Sequence, residues 1–237
     1  VLLGAAARAR PGRVHAATTR SNAVPDEEIE AARGEHHHGD EEKGWFESFE
    51  YPVRKITDSA AEESTGRWSP DGETVAFTGF DDRYQGYQVA GLYLMNRDGS
   101  VRRLISGDFD RNIRDIRWHP EGNALLFRYD DRGNTKIGSI TVEGEIRTLA
   151  ADVGGLSLGR PYGAGSFSVA DTGAIAYTLT RPEHPADVAV RRPDGTITRL
   201  TRLNDDVFGH RKLAATGEIT FPSSFDGREI QGWVTTP

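Results

Sequence analysis

One stretch of this chain returns with its turn residues in place 50 residues later. The segment RWSPDGETVAFT at 67–78 reappears as RWHPEGNALLFR at 117–128, and a degenerate copy, FSVADTGAIAYT, runs over 167–178. In the third copy, Phe167 aligns with the two earlier tryptophans, with one extra residue before the glycine. A fixed period of this length means that one supersecondary unit is used repeatedly. We therefore expect an array of similar units.

Each copy predicts two antiparallel strands joined by a tight turn. In the first copy, Pro70 presets φ for the turn, and Gly72 accepts the positive φ of the bulge that follows. Val75 and Phe77 then alternate with smaller or polar residues, as in a strand with one buried face. Every copy is followed by a second hairpin. Its turns are Asp98-Gly99, Glu143-Gly144 and Asp194-Gly195.

Four strands per period of about 50 residues predict an all-β fold, a partial β-propeller of four-stranded antiparallel blades. A β-sandwich is the alternative, but it gives no reason for the turn to recur. We expect Trp68, Trp118 and Phe167 to pack between blades rather than to stack on a ligand. Three full repeats and a partial fourth fit the chain, whereas closed propellers need about four to eight blades. An open array should be marginally stable or self-associate as a homo-oligomer.

Residues 1–50 predict a disordered or low-complexity leader, because the sequence from about 17 to 50 is polar, charged and without periodicity. The start also fits the end of a secretory signal, cleaved after 14–16, but its apolar part is short and is followed by arginines. Within this segment a run of histidines and acids resembles a metal site: His36, His37, His38, Asp40, Glu41 and Glu42. Neighbouring residues in a flexible run cannot impose a coordination geometry, so we predict no metal there.

Composition excludes several function classes. Asp plus Glu outnumber Lys plus Arg by 36 to 29, a net charge of -7, which disfavours binding to nucleic acid. The chain has no cysteine, so disulfides and thiolate metal sites are excluded. No stretch approaches the roughly 20 apolar residues that span a bilayer. We expect a cytoplasmic protein, with a secreted or periplasmic location as the alternative.

Several residues imitate catalytic or ligand motifs. GLSLG at 155–159 fits the Gly-x-Ser-x-Gly nucleophile elbow, and Asp205 and His210 follow in the usual order. The elbow needs a helix after the serine, but Pro161 follows here, so we interpret Ser157 as part of a glycine-rich connection between blades. The remaining histidines show no ligand spacing and no acid partner. These are His119, His184 and His210.

The Asp-Asp-Arg triplets at 81–83 and 130–132 follow the second strand of their repeats. They could form a binding device, but a motif that repeats with the blade usually serves the blade. We interpret both as turn chemistry and surface ion pairing. No catalytic, cofactor-binding or metal residue is therefore assigned in this chain, and no cofactor is expected.

The Trp-Ser-Pro-Asp-Gly turn followed by Val-Ala-Phe resembles the WD40-like propeller repeat shared by TolB-like proteins and the prolyl oligopeptidase family of serine peptidases. The end of the chain, 199–237, resembles the exit from the last blade and the start of the hydrolase domain in acylaminoacyl-peptidase-like members. The matching positions are Leu200, Thr201, Asn204, Asp226, Gly227, Ile230, Gly232, Trp233 and Pro237. The resemblance covers about residues 51–237.

The resemblance implies blades over 51–215, and a linker with the first strand of a truncated α/β-hydrolase domain over 216–237. It implies a peptidase of small peptides, acylaminoacyl-peptidase or dipeptidyl-peptidase-like, whose propeller gates access and whose Ser-Asp-His triad lies outside this chain. The chain alone is expected to be inactive. The alternatives are a non-enzymatic TolB-like propeller that binds protein or peptide partners, and a propeller joined to some other hydrolase or amidase.

Overall fold

The computed structural model describes residues 2–4, 53–57, 62–155, 165–182 and 184–236. These residues form strands and one short helix, α1 (Asp205–Phe208). The strands are β1 (Leu2–Gly4), β2 (Val53–Lys55), β3 (Glu62–Trp68), β4 (Thr74–Phe80), β5 (Gly91–Asn96), β6 (Arg103–Leu104), β7 (Arg114–Trp118), β8 (Ala124–Asp131), β9 (Asn134–Thr141), β10 (Ile146–Val153), β11 (Phe167–Val169), β12 (Ile175–Arg181), β13 (His184–Arg191), β14 (Ile197–Arg199), β15 (Ala215–Pro222) and β16 (Glu229–Thr236).

Three antiparallel quartets follow one another along the chain: β3–β6, β7–β10 and β11–β14. The second and third quartets touch edge to edge at one pair, Val153 with Leu179, which joins them into an eight-stranded sheet. This join arises because β11 is only three residues long and pairs with the first part of β12, leaving the end of β12 open to β10. Strands β1 and β2 form a separate antiparallel pair.

The recurring turns have the predicted geometry in the first two repeats. Gly72 and Gly122 have φ of +76° and +73°, and each amide donates to the carbonyl three residues earlier, at 2.9 Å. The third turn corrects the expected alignment. Val169, not Phe167, occupies the tryptophan position, since it pairs with Ile175 as Trp68 pairs with Val75. The Ala170 amide of this turn donates to the carbonyl of residue 174, whereas that of Ser69 in the first turn donates to Thr74. The third turn therefore has one residue fewer after its glycine, and not one residue more before it.

Two apolar clusters lie between successive quartets and hold them face to face. Leu92 and Leu94 of the first quartet pack against Leu125 and Phe127 of the second. The second cluster joins the other face of the second quartet, including Leu126, to the third quartet. A β-sandwich would bury one layer between two sheets, whereas the middle quartet here buries both of its faces. The predicted partial β-propeller of four-stranded blades is therefore confirmed, and the quartets are called the first, second and third blades.

Two of the three aromatic residues, Trp118 and Phe167, lie between blades as predicted, whereas Trp68 does not. Trp118 packs into the cluster between the first two blades, and its Nε1 donates to the Arg67 carbonyl of the first blade at 3.1 Å. Phe167 is buried in the second cluster. Trp68 packs with Ile56 on the far face of the first blade, beside Val75 and its neighbours. All three side chains are thus used in packing.

One face of the third blade is exposed, although the corresponding face of the first and second blades is covered by the blade that follows. By strand register, Leu92, Ile137 and Val188 are equivalent, because they pair with residues 78, 128 and 178. The first two are fully buried, whereas Val188 is 39% exposed. Leu200 is equivalent to Ile105 of the first blade, because its amide donates to the Val188 carbonyl as that of Ile105 donates to Leu92. Leu200 is 57% exposed, whereas Ile105 is 5% exposed. We call this surface the outer face of the third blade.

Truncating the centre of the first interface should destabilise the array. Phe127 is fully buried and lies edge-on to Phe109, with ring centroids 5.8 Å apart. We expect Phe127→Ala to lower the free energy of unfolding by about 3–5 kcal/mol, because a large buried ring is lost and a cavity remains. Urea unfolding followed by circular dichroism measures this change.

Phe225→Ala is the matched control, because this ring is 96% exposed. It should change the free energy of unfolding by less than about 0.5 kcal/mol. Equal losses for the two variants would contradict the assigned core.

Candidate functional site

Strands β4, β8 and β12 all end at the same end of the array, which we call the loop end. The connection 81–90, the crossing segment 105–113 and the turn at 132–133 lie there. The opposite end carries the tight turns at 97–100, 142–145 and 192–196. Binding groups on a repeated scaffold usually lie on its longer connections. The loop end is therefore where a ligand-facing surface is expected.

A pocket of about 480 Å³ lies at the loop end of the first blade, between the connection 81–90 and residues 104–110. Its walls combine carboxylates, one arginine and tyrosine rings. The Tyr87 hydroxyl accepts a hydrogen bond from Asn112 at 2.6 Å, which ties the two walls together. The Ser106 hydroxyl accepts the Leu92 amide at 3.1 Å. The pocket can take a polar ligand of modest size.

The second Asp-Asp-Arg triplet forms ion pairs with the crossing segment. Asp131 accepts hydrogen bonds from Lys136 at 2.7 Å and from Arg111 at 2.9 Å. The bond from Lys136, aided by Arg111, lowers the pKa of Asp131 below its ordinary value. Asp130 pairs with Arg114 and accepts the Thr135 hydroxyl. This arrangement agrees with the interpretation of the triplet as turn chemistry and ion pairing.

In the first triplet one carboxylate forms an ion pair and the other accepts hydrogen bonds from its own connection. Asp81 lies 3.4 Å from Arg102, and Asp82 accepts the Tyr84 amide at 2.8 Å and the Gln88 side chain at 3.0 Å. Both carboxylates thus shape the connection 81–90. Tyr84 is 95% exposed at its tip.

A buried carboxylate fixes the exit from the third blade. The Asp187 side chain is 1% exposed, and it accepts hydrogen bonds from the Thr201 hydroxyl at 2.8 Å and the Leu203 amide at 3.0 Å. Arg199 donates to it at 2.7 Å and also reaches Asp205, at the start of α1, at 2.7 Å. Burial alone would raise the pKa of Asp187, but these hydrogen bonds and the arginine hold it below its ordinary value.

Sequence reasoning missed this cluster. Asp187 pairs with Leu179, so its equivalents in the first two blades are Gly91 and Lys136. A carboxylate appears there only in the last blade, and this departure from the repeat was the available signal. Its partner Arg199 lies 12 residues away, on the next strand.

Strands β15 and β16 form their own two-stranded sheet after the blades. Residues paired across the strands share a face, so the hairpin has two distinct sides. Gln231 and Trp233 lie on one side, opposite Thr220 and Glu218. The other side is apolar and is 41–47% exposed at its large side chains. This apolar face consists of Ile219, Phe221, Ile230 and Val234.

Of the three residues that follow the order of a triad, Ser157, Asp205 and His210, the structure describes only the last two. Ser157 lies outside the described residues, as do the histidines at 36–38. Asp205 is engaged by Arg199, and His210 is an exposed residue just after α1. His119 lies in a turn at the opposite end, where its Nδ1 accepts the Glu121 amide at 3.3 Å.

No set of three metal-ligating side chains occurs within the described ranges. In the same part of the chain, no helix has the length and apolarity needed to cross a membrane.

Comparisons with known proteins identify the fold. No protein-family model matches the chain, and no curated protein matches it. The fold is shared with an acylaminoacyl peptidase from Pyrococcus horikoshii, at TM-score 0.58 and 20% identity over 79% of this chain. Dipeptidyl peptidase 4 from Porphyromonas gingivalis matches 73% of the chain at TM-score 0.50 and 14% identity. TolB from Acinetobacter baumannii matches 64% at TM-score 0.48 and 18% identity.

At these identities the likeness to the two peptidases supports the propeller fold alone. The chain covers 27% of the acylaminoacyl peptidase, 23% of the dipeptidyl peptidase and 35% of TolB. It therefore spans between about a quarter and a third of those solved structures.

The Asp187 cluster should make the free energy of unfolding depend on pH in the acidic range. A carboxylate whose pKa is lowered by folding adds stability above its unfolded-state pKa of about 3.9, and this stability is lost as the pH falls through the folded value. We expect Asp187→Asn to be less stable at neutral pH and to lose less stability on acidification. Chemical unfolding at a series of pH values measures both effects.

Asp206→Asn is the matched control, since Asp206 is an exposed carboxylate on α1, next to Asp205. It should keep the acid dependence of the unchanged chain. An unaltered acid profile for Asp187→Asn would contradict the assignment.

Proposed function

We propose that this chain is the propeller region of a serine-type peptidase of the prolyl oligopeptidase family, in the acylaminoacyl-peptidase-like subgroup. In this role the blades restrict which peptides reach a catalytic domain. The nucleophile, base and oxyanion donors belong to that domain rather than to the blades. The substrate class is small peptides.

The observation that carries the proposal is the hairpin of β15 and β16. It follows the last blade, forms a sheet of its own and keeps an apolar face open. The third blade already has its four strands, β11–β14, and β15 pairs with β16 rather than with any of them. The hairpin also contains the Asp226-Gly227 turn and Trp233, two of the matching positions in the segment 199–237. These are typical of the start of the hydrolase domain in that family. The fold shared with an acylaminoacyl peptidase is one that this role requires.

A TolB-like binding propeller is the second candidate function. It is favoured by the loop end of the first blade, where the exposed Tyr87 lines a pocket of about 480 Å³ and the exposed Tyr84 lies on the same connection. Tyrosine supplies large contact area at low entropic cost in protein and peptide recognition. In this function the pocket binds its partner without chemistry.

The isolated 237-residue chain should not react with a fluorophosphonate probe for active serine hydrolases, because the proposed triad is carried by another domain. Gel fluorescence after labelling measures the reaction. Labelling that disappears in Ser157→Ala would overturn the proposal, since it would make Ser157 the nucleophile.

The coding sequence after codon 237 separates the two candidates. A reading frame that encodes Gly-x-Ser-x-Gly, then Asp and His, supports the peptidase. A stop codon at that point supports the binding propeller.

We also propose that the outer face of the third blade drives self-association. Val188 and Leu200 are apolar, exposed and located where the earlier blades are covered by a neighbour. Sedimentation velocity of the 237-residue chain should therefore detect oligomers. Leu200→Lys should shift the population towards monomer, because it places a charge in the contact.

Leu203→Lys is the matched control. Leu203 is 69% exposed but follows the blade rather than lying on its face. It should leave the oligomers unchanged. A compact monomer for the unchanged chain would contradict this proposal.

A further inference from the structure

The turn between β8 and β9 places an arginine in the left-handed backbone region. Arg132 and Gly133 both have positive φ, +48° and +68°, which is the pattern of a type I′ hairpin turn. Glycine and asparagine favour this conformation, whereas arginine pays a steric penalty for it. The turn is held by the ion pairs of Asp130 and Asp131 on one side. It therefore presents a fixed backbone at the loop end of the second blade.

The hairpin touches this turn through two side chains of β16. The Trp233 ring lies directly on Gly133: a Cβ at position 133 would be 2.2 Å from Cη2 and 2.6 Å from Cζ2 of the indole. The Gln231 Nε2 donates to the Arg132 carbonyl at 3.1 Å and to Glu218 of the neighbouring strand at 2.7 Å. Only glycine leaves space for the ring at this position.

Both contacts come from one side of the hairpin. Gln231 and Trp233 are two residues apart and point to the same face, so the apolar face is turned away from the turn. Trp233 remains 49% exposed, which means that the ring is seated on the turn rather than enclosed by it. A two-stranded hairpin is only marginally stable by itself in water. The contact between Trp233 and the β8–β9 turn must therefore help to keep the hairpin ordered.

We propose that the β8–β9 turn is a latch for the hairpin. Gly133 receives the indole, the Arg132 carbonyl receives the Gln231 amide, and together they set the direction in which β15 and β16 leave the blades. The contact is small enough to open while the blades stay folded. This inference concerns the fold and holds for either candidate function.

Hydrogen exchange of the 237-residue chain tests the latch. Gly133→Ala places a methyl group where the indole lies, so amides of 215–236 should exchange about tenfold faster or more, with β8 amides in the blade core unaffected. Gly72→Ala is the matched control, because its φ is +76° and its Cβ would meet nothing within 4 Å. It bears the same backbone strain without touching the hairpin.

Trp233→Ala opens the latch from the other side and leaves the turn intact. Val234→Ala is its control, since Val234 lies on the same strand but on the apolar face. We expect faster exchange of 215–236 in Trp233→Ala than in Val234→Ala. The double variant of Gly133 and Trp233 should exchange no faster than the more affected single variant, because both remove one contact.

Two results would overturn the latch. One is hairpin exchange in Gly133→Ala that matches Gly72→Ala. The other is additive acceleration in the double variant, which would mean that turn strain and hairpin propensity act independently.

Discussion

Packing between successive blades is the interaction on which the rest of this structure depends. A β-sheet has two faces, and in an array of stacked sheets each blade contacts only its neighbours, so a face is buried only where a neighbour covers it. Leu125 and Phe127 face one neighbour, while Leu126, between them in sequence, faces the other. Gly138, the cross-strand partner of Phe127 within the second blade, leaves the space that this ring occupies, because a Cβ there would lie 2.8 Å from it. The second blade thus depends on a neighbour at each of its two faces.

Because the blades repeat, the same end of each strand lies at the same end of the array, and function can be added there without altering the core. The loop end carries what the template does not specify: the connection 81–90, the ion-paired turn before β9 and the Asp187 cluster. Each is a departure from its equivalents in the other blades. Such departures are tolerated because the fold is stabilised by packing between the faces of the blades, whereas the surface connections contribute less.

The sequence was sufficient for the fold, because strand alternation and the turns at Gly72 and Gly122 are local patterns. It misaligned Phe167, since a degenerate turn can lose one residue without losing its glycine. The latch could not be found in this way. Gln231 and the Arg132 carbonyl are 99 residues apart, and a carbonyl has no signature in sequence. The role of Ser157 stays a prediction.

The two open apolar surfaces differ in origin, and so they call for different partners. The outer face of the third blade is open because a repeat ends, and the shape that fits it is another sheet like the second blade, which covers Leu92 and Ile105. The apolar face of the hairpin belongs to no repeat. Its orientation is set by Trp233, on the opposite side, so whatever binds this face is positioned by the second blade. A contact far from any chemistry can in this way decide where an adjoining domain sits over the loop end.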